Sequence, residues 1–534
     1  MKPRINSFVH FSSLLTAATI AFAASAHAVD YTWDGGTGNW NAVNWNGATA
    51  SGPTSPGATA TINSGNVTLN VGGPGNLDSI TLGSGAQINM YNGDGGIYAY
   101  QGLSNLILQG GTVNGGSATY HTYGCSAIGN VTVSGSAAST ITSGSWFNLY
   151  STGSTFTVAD VTGSDAPDLL VNSRMYAPPL PGDDNQWGTA ALTKEGLGTM
   201  KLTLGTYNTN VTVNAGTLEF AGEAEAGAGG GYGFVRNGSI TVNSGATLSL
   251  TGSGTGFGWR DGNSPTSINI VGGTVTSGTN HIFDVSGGIN MTGGMLDSTS
   301  GSFQLKGTNI NTSASANTAT IAGAISLRTD FGAFNQVVNV ADGAAATDLL
   351  ISANITQVSA NGGITKSGLG TLVLAGNNTY EGATTVSVGT LLVTGALGNT
   401  AVSVANNATV GGSGTIGGTL SFAGDSFFDV FSAVVGNDPL AVAGTVTFGS
   451  GFGINNLTGI NWASVAMGTY TLIDSTQDFS LADLDNWGSA NAFSVGAGKS
   501  AYFQNGSLEL VVIPEPGAAL LGGLGMLCLL RRRR

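Results

Sequence analysis

The chain has 534 residues, 41% of them hydrophobic and only 8% charged, with 87 glycines and 15 basic against 29 acidic side chains. So little charge with so much apolar content argues against ordinary disorder, and glycine without a three-residue period excludes a collagen helix. The net charge of −14 disfavours nucleic acid and anionic lipid headgroups as partners.

Lys2 and Arg4 precede an apolar segment from Leu14 to Ala24, and Ala26-His27-Ala28 has the small-x-small form of a signal-peptide cleavage site. Residues 1–28 are therefore expected to be a signal peptide, cut after Ala28 to leave Val29 first. Trp33, Trp40 and Trp45 follow within thirteen residues. They predict an aromatic cap over residues 29–50, the alternative being an exposed platform for sugars.

From residue 51 to 420 the sequence is punctuated by Gly, Asn, Ser and Thr. Between these lie short alternating stretches such as Val67/Leu69/Val71, Ile240/Val242, Leu248/Leu250, Ile268/Ile270 and Ile289/Met291. Period two over four to six residues predicts half-buried strands. At roughly 20 residues per rung, stacked about 4.8 Å apart, this span would make about 18 rungs and a rod near 85 Å long. No convincing amphipathic helix interrupts Val29 to Ile513.

One segment occurs twice. Lys194-x-Gly196-Leu197-Gly198-Thr199, Thr206-Tyr207 and Gly216-Thr217-Leu218 match Lys366-x-Gly368-Leu369-Gly370-Thr371, Thr379-Tyr380 and Gly389-Thr390-Leu391. Residues 192–218 and 364–391 resemble the autotransporter-associated β-strand repeat, a unit of parallel β-helical surface proteins. The resemblance implies a right-handed parallel β-helix, with the handedness coming from the family alone. It does not imply the family's export route, because no stretch is long enough for a terminal membrane barrel.

Residues 421–513 change character, with Phe422, Phe427, Phe428 and Phe431 and then the strand-like Gly468 to Ile473 and Leu508 to Val512. They are expected to form a C-terminal β cap. Residues 514–534 are Pro514-Glu515-Pro516, an apolar run from Gly517 to Leu530, and Arg531-Arg532-Arg533-Arg534. Fourteen apolar residues make a helix of about 21 Å, short for a hydrocarbon core of about 30 Å. The four arginines would nevertheless hold the terminus in the cytoplasm.

This tail resembles the PEP-CTERM sorting signal of Gram-negative bacteria. That resemblance implies a membrane-embedded exosortase as partner, cleavage near Pro514-Glu515-Pro516, and delivery to a cell surface rich in exopolysaccharide after transient anchoring in the cytoplasmic membrane. Losing both signals would remove six basic residues and no acidic one, leaving nine against 29 and a net charge of −20.

Catalytic and cofactor signatures are sparse. His121 and His281 are far apart, and no HExxH or CxxC occurs. Only Cys125 would survive processing, since Cys528 lies in the tail, so no intramolecular disulfide is expected. Gly496-Ala497-Gly498-Lys499-Ser500 imitates the end of a P-loop, but Phe493 stands where the first glycine is required. Asp160/Asp165/Asp168, Asp183/Asp184 and Asp474/Asp478/Asp483/Asp485 could hold calcium, though solvated turns account for them. The reading is a non-enzymatic surface or matrix protein without catalytic, cofactor or metal residues, possible partners including a matrix polysaccharide. The rival is a β-helical polysaccharide lyase or hydrolase, which needs paired carboxylates beside a cation. Arg174, after Asp165 and Asp168, is the nearest candidate for that cation.

Overall fold

Alternation decides the strands. In Ala86–Met90, Leu169–Tyr176 and Ala246–Leu250 every second side chain is buried, and those between are exposed or half-exposed. A strand this short buries two to four side chains and cannot stand alone, so the chain must coil back and stack the next strand on the last.

The computed structural model shows that coil. It describes residues 29–515 except 34, 43, 47–51, 54–55, 70–76, 91–101, 116–126, 151, 178, 181–182, 222–225, 228–229, 232–233, 252–256, 258–263, 279, 299–300, 360 and 482; beyond these it describes 525–528 and 531. The expected signal peptide, with Ala26 and Ala28, lies outside the described residues, as do Cys125 and His121.

The protein is an all-β parallel β-helix. On its first face eighteen strands follow one another in parallel register, from Asp30–Trp33 to Val446–Phe448. A second face runs beside it from Thr37–Asn39 to Leu457–Thr458. Parts of a third face appear at Asn280–Phe283, Phe303–Lys306, Ala324–Leu327 and Asn354–Gln357. Seventeen steps of about 4.8 Å give a length of about 80 Å.

The rungs are not uniform. Thr385 pairs with Ser403, 18 residues on, whereas Thr155 pairs with Thr193, 38 residues on. Loops therefore leave the coil without disturbing its register. Asparagines with positive φ, such as Asn237 at 55° and Asn407 at 62°, turn corners, a conformation their short amides tolerate.

Both ends are closed. At the N-terminal end Asp30–Trp33 pairs antiparallel with Trp45–Asn46, which blocks further parallel addition. Trp33, Trp40 and Trp45 are each at most 2% exposed. Trp45 lies 5.2 Å from Trp33 and 4.8 Å from Trp40 between ring centroids, and its Nε1 donates to the Trp40 carbonyl at 2.8 Å. These rings offer no open platform, so the sugar-binding alternative fails at this cluster.

At the other end the parallel coil continues past residue 420, where a separate β cap was expected to start. The antiparallel part begins at Gly468–Asp474, which pairs with Leu508–Pro514, and that strand pairs in turn with Lys499–Gln504. Phe422, Phe428, Phe448 and Phe452 stack inside the last rungs at 4.9–5.6 Å. Phe427 is half-buried and Phe431 is 57% exposed.

Trp40→Ala should lower stability by about 3–5 kcal/mol, because a fully buried ring and its contacts disappear. The denaturant midpoint measures this, and amide exchange should accelerate first across residues 30–70. An unchanged midpoint would show that the aromatic cluster does not fasten the first rungs.

Candidate functional site

The repeated segment builds the same polar staple twice. Lys194 occupies an inward position of Ala190–Glu195, and Lys366 one of Gly362–Ser367; both are 0% exposed. Lys194 Nζ donates to the carbonyls of Glu195 at 3.0 Å, Gly196 at 2.7 Å and Ala215 at 3.1 Å. Lys366 Nζ donates to those of Ser367 at 3.1 Å, Gly368 at 2.6 Å and Val388 at 3.0 Å. Three ammonium protons thus meet three acceptors, and the third acceptor belongs to the following rung.

A carboxylate from the preceding rung completes each staple. Asp168 accepts from the backbone N–H groups of Val161, Thr162 and Thr199, each at 2.8 Å. Asp348 accepts from Gly343 and Thr371, each at 2.8 Å. Gly196 and Gly368 have φ of +79° and +76°, and a Cβ on either would collide with the carbonyl of Val158 or Val340. This close approach explains the glycine in Lys-x-Gly-Leu-Gly-Thr. The leucine between the glycines points out: Leu197 is 80% and Leu369 71% exposed.

The staple reveals residues that the repeat match misses. Asp348 carried no signal alone, but Val340-Ala341-Asp342 and Asp348-Leu349-Leu350 echo Val158-Ala159-Asp160 and Asp168-Leu169-Leu170. Each repeat therefore starts a rung earlier than its most conspicuous motif. In the second copy Tyr380 is fully buried, and its hydroxyl lies 2.8 Å from Thr384 Oγ1.

Outside the staples, polar side chains form columns along the outer faces. Asn269, Asn290 and Asn311 make an amide ladder with Nδ2-to-Oδ1 distances of 3.0 Å at both steps. In a second column Asn243 donates to Asn214, and Asn214 to the Glu195 carboxylate. A shallow open depression is lined by Asn105, Asn130, Tyr150, Thr152, Thr155 and Thr193 among others, with no charged side chain.

Of the carboxylates suspected of holding calcium or doing catalysis, Asp160, Asp168 and Asp478 accept from backbone N–H groups. Asp168 is consumed by three N–H groups, and Asp160 accepts from Gly163 N at 2.8 Å. Arg174 lies six residues beyond Asp168, whose oxygens are already taken by three backbone N–H groups. Asp478 accepts from Ser480 N and Asn505 Nδ2, and the Ser480 bond chiefly holds its carboxyl below the usual range. Side chains of Asp183, Asp184 and His281 lie outside the described ones. Among the described residues no three His, Cys, Asp or Glu cluster as metal ligands. The P-loop imitation is a hairpin turn whose Lys499 donates to the carbonyls of Trp462, Ala463 and Val465.

Of the expected sorting residues, Pro514 ends a strand and is exposed, and Glu515 donates its backbone N–H to Gly498 O at 2.9 Å. Residues 525–528 are exposed helix and Arg531 is exposed, whereas Pro516, Arg532, Arg533 and Arg534 lie outside the described residues. No helix among the described residues is long and apolar enough to cross a membrane.

Burial lowers both staple lysines from 10.5 to about 8, against the opposing charge of Asp168 and Glu195 at Lys194 and of Asp348 at Lys366. The unfolded chain therefore binds more protons between pH 8 and 10.5, and stability should rise with pH across that window. The gain is on the order of 2 kcal/mol per lysine by pH 10. Above about pH 10.5, where the lysines have lost most of their protons in both states, stability should fall, because burial raises the Tyr380 hydroxyl above its usual value. Urea midpoints from pH 7 to 11 measure the curve, and Lys366→Met should remove about half of the rise. A flat profile would mean that the lysines stay charged in the folded rod.

Residues 364–393 match the passenger-associated-transport-repeat family; the match takes in Lys366 and its three carbonyl partners but not Asp348. The first copy, 192–218, lies outside that match although its geometry is the same. Neither the curated proteins nor the solved structures supply a match to the chain. The chain is thus a parallel β-helix with a region similar to a transport repeat of passenger proteins.

Proposed function

We propose that this is an exported, non-catalytic component of a bacterial cell surface or extracellular matrix, acting as a rigid adhesive rod. The observation that carries this reading is the run of uncharged hydrogen-bonding side chains in register on consecutive rungs: Asn105, Asn130, Thr155, Thr193, Thr212, Thr241, Asn269, Asn290, Asn311 and Asn339. Such a column suits many weak contacts with an extended polymer better than one deep site. The similarity to a passenger repeat supports export, and the tail from Pro514 to Arg534 supports sorting by an exosortase-type enzyme.

Two measurements test it. The chain recovered from the surface of native cells should lack the residues downstream of about Pro516 by intact mass, whereas full-length chain in the cytoplasmic membrane would contradict sorting. Incubated with acidic and neutral polysaccharides, with and without calcium, the protein should bind without creating new reducing or unsaturated ends. Cleavage would instead make it a carbohydrate-active β-helix enzyme.

A further inference from the structure

Phe331 stands apart from the other aromatic residues of the coil. It is the last residue of the 3₁₀ turn Thr329–Phe331 and is 52% exposed. The turn that carries it is fixed: buried Thr329 donates from Oγ1 to Ser359 O at 2.7 Å and accepts from Ser359 N at 2.9 Å, one rung on. The ring is thus held at the surface by its backbone.

Two cations lie over this ring, Arg328 Cζ at 5.0 Å and Lys306 Nζ at 5.5 Å from its centroid. Each is neutralised beside it. Arg328 makes a two-point contact with Asp330, through Nε at 2.8 Å and a terminal nitrogen at 2.7 Å, and its other terminal nitrogen donates to Gln304 Oε1 at 2.5 Å. Lys306 donates to Asp284 Oδ2 at 2.7 Å. The result is a half-exposed aromatic ring partly covered by two ion-paired cations, with the Gln304 amide bonded to one of them; these polar groups make up a rim with no net local charge.

We propose that Phe331 and this rim form a subsite for a neutral saccharide. A pyranose ring has an apolar C–H face that fits an aromatic ring, and edge hydroxyls that both donate and accept. Carboxylate oxygens can accept from those hydroxyls while the guanidinium and ammonium donate to them, and charged partners make the stronger hydrogen bonds. Because the rim is pre-assembled by its own ion pairs, little side-chain ordering remains to oppose binding. An anionic sugar is disfavoured twice, since the two cations are compensated and the whole chain is acidic. This deepens the matrix-adhesive reading and rests on it.

The test is affinity electrophoresis of the chain purified from native cells through gels holding dextran, a mixed-linkage β-glucan or alginate. The neutral glucans should retard the native protein and Phe331→Trp, while Phe331→Ala weakens retardation about tenfold, the size of one anchor residue. An unchanged thermal midpoint for Phe331→Ala would exclude loss of fold as the cause. Equal retardation of native and Phe331→Ala protein would overturn the subsite and leave the adhesive reading standing. Retardation by alginate alone would overturn the neutral ligand class, and with it the subsite. Retardation by none of the gels would overturn both the subsite and the adhesive reading.

Discussion

A coiled chain turns its backbone at every rung, and each turn crowds carbonyl oxygens that need donors. Buried backbone groups left unpaired are costly, so corners limit such a fold more than its strands do. This protein answers in the coil with Lys194 and Lys366, and Lys499 does the same beside the antiparallel end; each binds three carbonyls. An ammonium has three donors and no acceptor, so it collects converging oxygens without requiring one in return. Other corners use shorter side chains. Ser298 bridges Gly301 and Ala324, and Asn456 reaches Gly424 and Ser426.

Those lysines also explain the surface field. Lys201, Lys306 and Arg328 are paired with Glu219, Asp284 and Asp330. Together with the three carbonyl-binding lysines, they commit at least six of the nine cations of residues 29–516 to partners within the fold. Asp168 and Asp348 are buried, but Asp160, Asp165, Asp342, Asp425 and Asp485 face solvent, and a surface of that sign repels polyanions.

The fold class was legible because inward and outward positions alternate cleanly in segments such as Ile240/Val242 and Leu248/Leu250, which nothing but a half-buried strand explains. The recurring Lys-x-Gly-Leu-Gly-Thr was also visible, since glycine and lysine are both geometrically irreplaceable there. Asp348 was not, because its partners are main-chain N–H groups and any loop aspartate looks alike in sequence. The coil's continuation beyond residue 420 was hidden by Phe422 and Phe428, whose bulk suggested a new domain although they fill the interior of ordinary rungs. Phe331 was invisible for the opposite reason. Among 21 phenylalanines, exposure depends on a turn fixed by Thr329 and Ser359, contacts made 30 residues apart.

The strand Leu508–Pro514 is bonded along its length on one edge to Gly468–Asp474 and on the other to Lys499–Gln504. A tension applied at Pro514 and directed along that strand loads both rows of hydrogen bonds together, in shear, whereas an edge strand would yield one bond at a time by peeling. The last described strand therefore resists a pull along its own axis better than an edge strand of the same length would.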